Sequence, residues 1–436
     1  MRLQIMVCLL ALILAAGMVS SSEVQASERR IYMLEYAYQY INHYYVEEVS
    51  AQDLAQGAID GSREILEEYK DDLTDEEWER LTDKLDNSPP SRSPFKGVEN
   101  LYMLVLEDYR DIIDPDELIE GAMAGMMEAL DIYSTYMNPE RYKEMQEEME
   151  GEYGGIGVLI TLREDRATVV EAFEETPGSR AGLQSGDVIK EVDGVSTENM
   201  VLNDVSSRIR GPRGTQVELT IYRPAEEKEF VVEITRETIE MPNVEGEIVN
   251  NNIGLISVMQ FMERTGEKVA GEIYELKEQG AEKFILDLRG NPGGLLKEAV
   301  KVASLFMPAG PVVHVADRSG IQEVLETDPH YTPLDLPLVV LVDMGSASGS
   351  EIVAAGIQEK AVGTLLGETT FGKATVQSIL PLPDGSALRL TTARYYTAEQ
   401  NFIHEDGVKP DIEVEPGEDL DEDPQLEEAI EFLTGK

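Results

Sequence analysis

Two abrupt changes in hydropathy pattern, near Gly151 and after Met241, divide this chain into stretches that cannot share one core. From Glu28 to about Glu150 the pattern is helical, rich in Tyr, Met, Leu and Glu with few β-branched runs. From Tyr153 to Arg236 short apolar or alternating runs (GVLI, ATVVEAF, DVIKEVDG, VELTIYR, EFVVEITR) are punctuated by glycine. That spacing predicts an all-β barrel or sandwich with one or two short helices. Beyond Met241 the strands IGLISVMQF, KFILDL, LVVLVDM and ALRLTTARY alternate with helical patterns at Glu267–Gln279, Lys297–Leu305 and Glu351–Glu359. Alternation of this kind builds an α/β sheet covered on both faces. The expected architecture is an α/β core, a β-rich domain and an α-helical N-terminal region. Its boundaries fall at 1–26, 27–96, 97–150, 151–238 and 239–436, the last closing on a short helix after the acidic stretch Gly417 to Asp423.

At 436 residues, and about 100–200 residues per domain, the chain has room for two to four domains. An apolar fraction of 42% and a charged fraction of 28% supply sizeable cores rather than a disordered tail. Lys and Arg total 36 against 85 Asp and Glu, a formal charge of −49. The basic surplus that a phosphate backbone requires is missing, so nucleic acid is not an expected partner. Such a surface also repels anionic lipid and suits a salt-rich setting, where screening acts over ~3 Å at 1 M. The one cysteine, Cys8, lies in a segment expected to be removed, so disulfides, thiolate catalysis and Cys-based metal sites are not expected. It lies in an apolar run of 15 residues, Ile5 to Val19, which follows Arg2 and precedes Val24-Gln25-Ala26. The run is shorter than the ~20 residues of a membrane span, and the small residues before Ser27 form a cleavage site. An export signal is expected at 1–26, with an uncleaved membrane anchor as the alternative. Either way the protein works outside the cytoplasm, in the periplasm, the cell envelope or the medium.

The helical region repeats weakly at an offset of 64 residues. Tyr45, Val49, Leu54, Gly57, Ala58 and Gly61 align with Tyr109, Ile113, Leu118, Gly121, Ala122 and Gly125. Between the copies lies Asn87 to Pro94 (NSPPSRSP), which no helix crosses. Two similar helical hairpins are expected, serving packing or assembly, including a homodimer, rather than chemistry.

Four stretches of the α/β region carry candidate chemistry. Asp287 to Leu295 (DLRGNPGGL) ends an apolar strand, and Gly293 and Gly294 there leave backbone N–H groups for an oxyanion or a phosphate. Gly345 to Glu351 (GSASGSE) holds serines between a strand and a helix, the way a nucleophile is presented. Phe371 to Gln377 (FGKATVQ) places Lys and Gln four apart, on one side of either a helix or a strand. Leu390 to Tyr396 is a strand followed by turn residues. Turn chemistry alone explains many such glycines and serines. His43, His314, His330 and His404 are the only histidines, and none stands at metal-ligand spacing or beside a serine elbow. Each is expected at the surface or in packing, and no metal or cofactor is expected. A serine nucleophile without a histidine needs another base, and lysine is the known substitute.

Taken together, GSASGSEI, GETTFGKATVQ, DLRGNPGGLL and LTTARYYT resemble the carboxy-terminal processing (tail-specific) proteases. In that family the nucleophile is the middle serine of S-A-S-A-S-E-I. The lysine of F-G-K-G-x-V-Q follows 25 residues on, and a glutamine four further. Ser348, Lys373 and Gln377 keep both spacings. The segment from YGGIGVLI through PGSRAGLQSGDVIKEVDG to IRGPRGTQVELTIYR resembles the family's PDZ domain, and LDIYSTYM (Leu130 to Met137) its L-D-P-Y-S-T-Y-L segment. The resemblance spans about residues 97–436 and leaves 29–96 outside. Gly349, Ala374 and Ile132 stand where the family has Ala, Gly and Pro, and AEQN (Ala398 to Asn401) where it often has P-S-G-R. Gly349 is expected to loosen the nucleophile turn.

The resemblance implies a serine endopeptidase. Ser348 attacks a peptide carbonyl, Lys373 takes its proton as a neutral amine, and Gln377 orients the lysine. Gly349 with Gly293 or Gly294 forms the oxyanion hole. Moving a lysine from ~10.4 to ~7 requires about 4.6 kcal/mol against its charged form. Phe371, Thr375, Val376 and Ile352–Ala355 are the expected apolar surroundings. In the PDZ-like domain Gly155, Ile156, Gly157 and Val158 of the Gly154–Val158 loop would meet a peptide carboxylate. The implied partners are proteins or peptides with free apolar C-termini. A catalytically inactive PDZ-bearing scaffold and an acyl-thioester enzyme are the other readings of the same residues.

Overall fold

In the computed structural model residues 22–87, 93–163, 165–417 and 422–435 are described, with side chains from residue 31. The apolar run, Cys8 and most of the expected export signal lie outside these residues, as do the prolines at 89 and 90 and much of the acidic stretch after Gly417. No helix among the described residues is long and apolar enough to cross a membrane. The chain forms two compact units, neither continuous in sequence.

The first unit comprises residues up to Tyr142 together with Ala316–Gly320 and Thr375–Arg394. Its helices are Ser22–Tyr44, Ala51–Glu68, Asp75–Asp86, Lys96–Leu104 and Pro115–Glu128. Their starts follow from local chemistry. Ser50 accepts the Asp53 N–H at 3.0 Å, Thr74 and Glu77 form a reciprocal capping box, and Asp114 caps a helix that opens on Pro115. The two aligned sequence copies pack on each other rather than forming separate hairpins. A Cβ on Gly57 would lie 2.3 Å from the Gly125 carbonyl oxygen, and one on Gly61 2.0 Å from that of Gly121. The repeat therefore encodes a close antiparallel crossing of helices Ala51–Glu68 and Pro115–Glu128. Tyr45, Leu54 and Ala58 and their counterparts Tyr109, Leu118 and Ala122 are all buried in one cluster, which also takes Leu388 and Leu390. Those two come from strand Ala387–Tyr396, which pairs antiparallel with Thr135–Met137 and with Thr375–Pro381.

The second unit holds the β-rich domain and most of the expected α/β domain. Ala316–Gly320 and Thr375–Arg394 of the latter fall in the first unit, and the strand ALRLTTARY lies in a sheet apart from the six-stranded one of the α/β core. The β-rich one is a sheet with strand order 158–163, 166–172, 188–192, 216–223, 228–235, and its core is Ile156, Val169, Ile189, Val205, Leu219 and Ile221. Strand Val158–Arg163 is an edge, and helix Leu202–Ile209 packs beside it. The α/β core is a six-stranded sheet in the order 244–249, 253–258, 283–287, 338–342, 364–367, 412–413, parallel except for its first pair. Strand Leu338–Val342 is buried along its whole length, as a parallel strand covered on both faces must be. One face packs Leu255, Ile285, Val339, Leu341 and Leu366 against Ala429 and Leu433 of helix Pro424–Thr434. Helices Thr265–Glu278, Leu296–Ser304 and Gly349–Glu359 complete the core.

Candidate active site

Parallel strands Lys283–Asp287 and Leu338–Val342 are neighbours that end at the same edge of the sheet, where open α/β sheets place their ligand crevices. Each runs into one of the sequence-predicted loops. Asn291, fully buried, is the hub between them. Its Nδ2 donates to the Val258 carbonyl at 2.7 Å and its Oδ1 accepts the Gly293 N–H at 2.9 Å. Its own carbonyl accepts from Ala347 N–H at 3.0 Å and from the Ser350 hydroxyl at 2.9 Å. Asp343 adds a second stitch, its Oδ1 accepting the N–H groups of Gly290 and Gly345 at 2.8 and 2.9 Å. At Gly293, with φ +103°, a Cβ would stand 2.8 Å from that of Ser348, so only glycine fits.

Ser348 sits where the loop turns into helix Gly349–Glu359, at φ 53° and ψ −108°. Such a strained backbone costs about 1–3 kcal/mol and persists only where its surroundings hold it. Glu351 provides that hold. Its fully buried carboxylate accepts the N–H groups of Ser348, Gly372 and Lys373 at 2.8, 2.7 and 2.9 Å and the Thr370 hydroxyl at 2.6 Å. Tyr395, also buried, places its hydroxyl 2.6 Å from the Lys373 carbonyl and 3.1 Å from that of Ser348. Burial, then the Glu351 charge, pushes its phenol well above the ordinary range, so it stays a donor. One carboxylate and one hydroxyl thus join the backbones of Ser348 and Lys373.

Gly349 does not loosen this turn. It is buried, and a Cβ there would come within 3.0 Å of the Phe261 ring and 3.2 Å of the Ala299 Cβ. The smaller residue is matched by closer packing. Of the three candidate oxyanion glycines, Gly293 has its N–H engaged by Asn291. Those of Gly294 and Gly349 have no acceptor among the described residues. Lys373 is half-buried in the loop before strand Thr375–Pro381. Phe371, expected to shield it, is 53% exposed. His404 is not simple packing, since its Nδ1 accepts the N–H of Ala374 at 3.3 Å.

Gln377 belongs to the first unit. Its Nε2 donates to the hydroxyls of Thr375 at 3.0 Å and Thr391 at 3.3 Å. Strand periodicity does not relate it to Lys373, because the lysine precedes the strand and the register shifts between Val376 and Gln377.

In the β-rich domain Gly155 ends the strand Glu152–Gly155, Ile156 and Gly157 form the following turn, and Val158 opens the edge strand. The carbonyls of Ile156 and Gly157 are taken by the N–H groups of Gly178 and Phe173, whereas their own N–H groups have no acceptor among the described residues. They line a groove with Tyr153, Val158, Ser206 and Arg210, whose guanidinium lies 4.4 Å over the Tyr153 ring.

Sequence reasoning singled out none of Asn291, Asp343, Glu351, Tyr395 or Arg210. All five do stand in or beside the stretches quoted for the family resemblance, Arg210 in IRGPRGTQVELTIYR. No group of three His, Cys, Asp or Glu among the described residues is arranged to hold a metal.

Comparison with known proteins shows the family. Residues 252–414 match the model of peptidase family S41, residues 168–223 a PDZ domain, and residues 65–141 the N-terminal domain of the activating protease CtpB. The last match begins well before residue 97, so part of the helical stretch expected to lie outside the family falls inside it. The chain is 37% identical over 325 residues to the carboxy-terminal processing protease CtpA of Bacillus subtilis, covering 74% of this chain and 69% of that one. It is also 37% identical over 322 residues to a carboxy-terminal-processing protease of Bartonella bacilliformis, covering 72% and 74%. With CtpB of Bacillus subtilis it shares 32% identity over 340 residues, 76% of this chain and 70% of the relative. The chain belongs to the PDZ-bearing carboxy-terminal processing serine proteases of peptidase family S41.

Proposed function

We propose that Ser348 is the nucleophile and Lys373 the general base of peptide hydrolysis, and that the PDZ domain selects substrates by their free apolar C-termini. The observation that carries the catalytic assignment is the shared anchoring of the Ser348 and Lys373 backbones by Glu351 and Tyr395. Ser348 Oγ attacks the scissile carbonyl while the neutral Lys373 amine takes its proton and then returns it to the leaving amine. The Gly349 N–H, at the N-terminus of helix Gly349–Glu359, and the Gly294 N–H receive the oxyanion. Gln377 titrates nothing. It is a positioning residue for the lysine, four residues away in the chain. Water then hydrolyses the acyl-serine, with the same lysine as base.

A peptide C-terminus adds to the free edge of strand Val158–Arg163, and its carboxylate meets the N–H groups of Gly155, Ile156, Gly157 and Val158. The N-terminal apolar run supports action outside the cytoplasm, at the membrane where that run is retained, and the helical unit is assigned to self-association. The test is cleavage of an unfolded protein ending in apolar residues, as free acid and as C-terminal amide, by the native enzyme and by Ser348→Ala. The acid should be cleaved at least ~5-fold more efficiently, since the amide loses charge-assisted hydrogen bonds worth more than ~1 kcal/mol. Ser348→Ala should cleave neither. Equal cleavage of acid and amide overturns tail recognition, and an active Ser348→Ala overturns the nucleophile.

A further inference from the structure

Gln377 is anchored in a way that its own chemistry does not require. A glutamine amide carries two N–H protons and one acceptor oxygen. Here Nε2 lies within hydrogen-bond reach of two hydroxyls, Thr375 Oγ1 and Thr391 Oγ1. With both protons given away, the group left over is Oε1, which can only accept.

That orientation holds only if Thr391 accepts from the glutamine, which requires its own proton to go elsewhere. It goes to Asp131 Oδ1 at 3.2 Å. Asp131 belongs to LDIYSTYM, a stretch with no role in the proposed hydrolysis. Its carboxylate is fixed by the N–H groups of Tyr133 and Ser134 at 2.8 and 2.9 Å and by the Ser134 hydroxyl at 3.0 Å. The Tyr45 hydroxyl bonds it as well, and burial followed by the Asp131 charge pushes that phenol above its ordinary range. Thr391 is 2% exposed, with its N–H on Ser134 Oγ at 3.1 Å and its carbonyl on the Val46 N–H at 2.9 Å. The backbone of Thr391 is thus held in place, and its buried side chain is fixed by the contacts of Oγ1 with Gln377, Asp131 and the Ser134 hydroxyl. An ionised carboxylate only accepts, so it sets the direction of every hydrogen bond upstream of it.

We infer that Asp131, acting through Thr391, is a positioning residue that fixes the direction of the Gln377 amide and keeps its carbonyl oxygen as the free end. This rests on Gln377 being the residue that orients the lysine, because a lysine amine donates to an oxygen and cannot accept from an amide N–H without giving up the lone pair that takes the serine proton.

Asp131→Ala is the discriminating change, because Asn would keep its carbonyl oxygen against the Tyr133 and Ser134 N–H groups and so still accept from Thr391. Alanine removes the acceptor, which lets the Thr391 hydroxyl turn its proton toward Gln377 and permits a flipped amide. In the full-length enzyme, Asp131→Ala and Thr391→Val should each lower kcat at least ~10-fold with KM changed less than ~2-fold, whereas Thr391→Ser, which keeps the hydroxyl, should retain most of the rate. Gln377→Ala should lower kcat comparably, and adding Asp131→Ala to it should cost nothing more, since the two act on one group. Thermal melts of each variant show whether loss of rate follows loss of fold. Multiplying losses in the double variant, or a kcat loss that tracks a lowered melting temperature, would overturn the relay while leaving Gln377 in place. A Gln377→Ala enzyme with native kcat would remove the reading of Gln377 and the relay with it.

Discussion

Glu351 does no chemistry on a peptide, yet the strained Ser348 backbone depends on it. Four donors converge on its buried carboxylate, and Gln at the same position offers one acceptor oxygen and an NH2 group that faces other N–H groups. Glu351→Gln should leave at least two buried donors unsatisfied, at about 1–3 kcal/mol each, and release the serine from its strained turn. A fall in kcat of ~100-fold or more is expected, with unchanged affinity of the PDZ domain for a peptide tail. Steady-state kinetics beside a peptide titration measures both, and a native kcat would show that the turn holds itself. The proposed roles of Ser348 and Lys373 were legible in the sequence because a fixed covalent spacing carries them. The roles of Glu351 and Tyr395 were not, although both stand in the quoted stretches. Tyr395 meets the Ser348 carbonyl across 47 residues and the Lys373 carbonyl across 22, and no local pattern records such a meeting.

Among the elements, the crossing of helices Ala51–Glu68 and Pro115–Glu128 is the most sharply specified by sequence. Gly61→Val would drive a branched side chain into the Gly121 carbonyl, which already stands 2.0 Å from where a Cβ would be. The helices must separate, at a cost of about 2–4 kcal/mol. Urea unfolding followed by helical circular dichroism should show the midpoint fall at constant slope, and an unchanged midpoint would mean that the crossing yields freely. The glycine and alanine spacing made both helices readable, but not that each copy is the other's packing partner. Three strands were harder to read for distinct reasons. Gly320–Glu326 has almost no buried residue and so no alternation to detect. Ile412–Glu413 is only two residues long. Thr375–Pro381 carries a register shift at Val376/Gln377, which breaks the period of two on which a strand reading depends.

Across the whole molecule, the formal charge of −49 opposes the approach of any substrate tail that ends in a carboxylate. Screening confines that repulsion to ~8–10 Å at moderate salt, so in the proposed reading the N–H groups of the PDZ loop decide the outcome at contact. The same division of labour runs through the enzyme. A rigid parallel sheet holds two loops in register, a separate β domain is proposed to read the tail, and the proposed reaction falls to a serine and a lysine. Turnover by the complete enzyme therefore tests the account most directly, as pH–rate curves for the native protein, Lys373→Ala, Lys373→Arg and His404→Ala. A guanidinium cannot lose its proton in a protein, so Lys373→Arg should be as inactive as Lys373→Ala at every pH. The native rate should rise with pH as the neutral amine forms, and His404→Ala should keep that rise. An active Lys373→Arg enzyme, or loss of turnover in a folded His404→Ala, would contradict the Ser–Lys assignment.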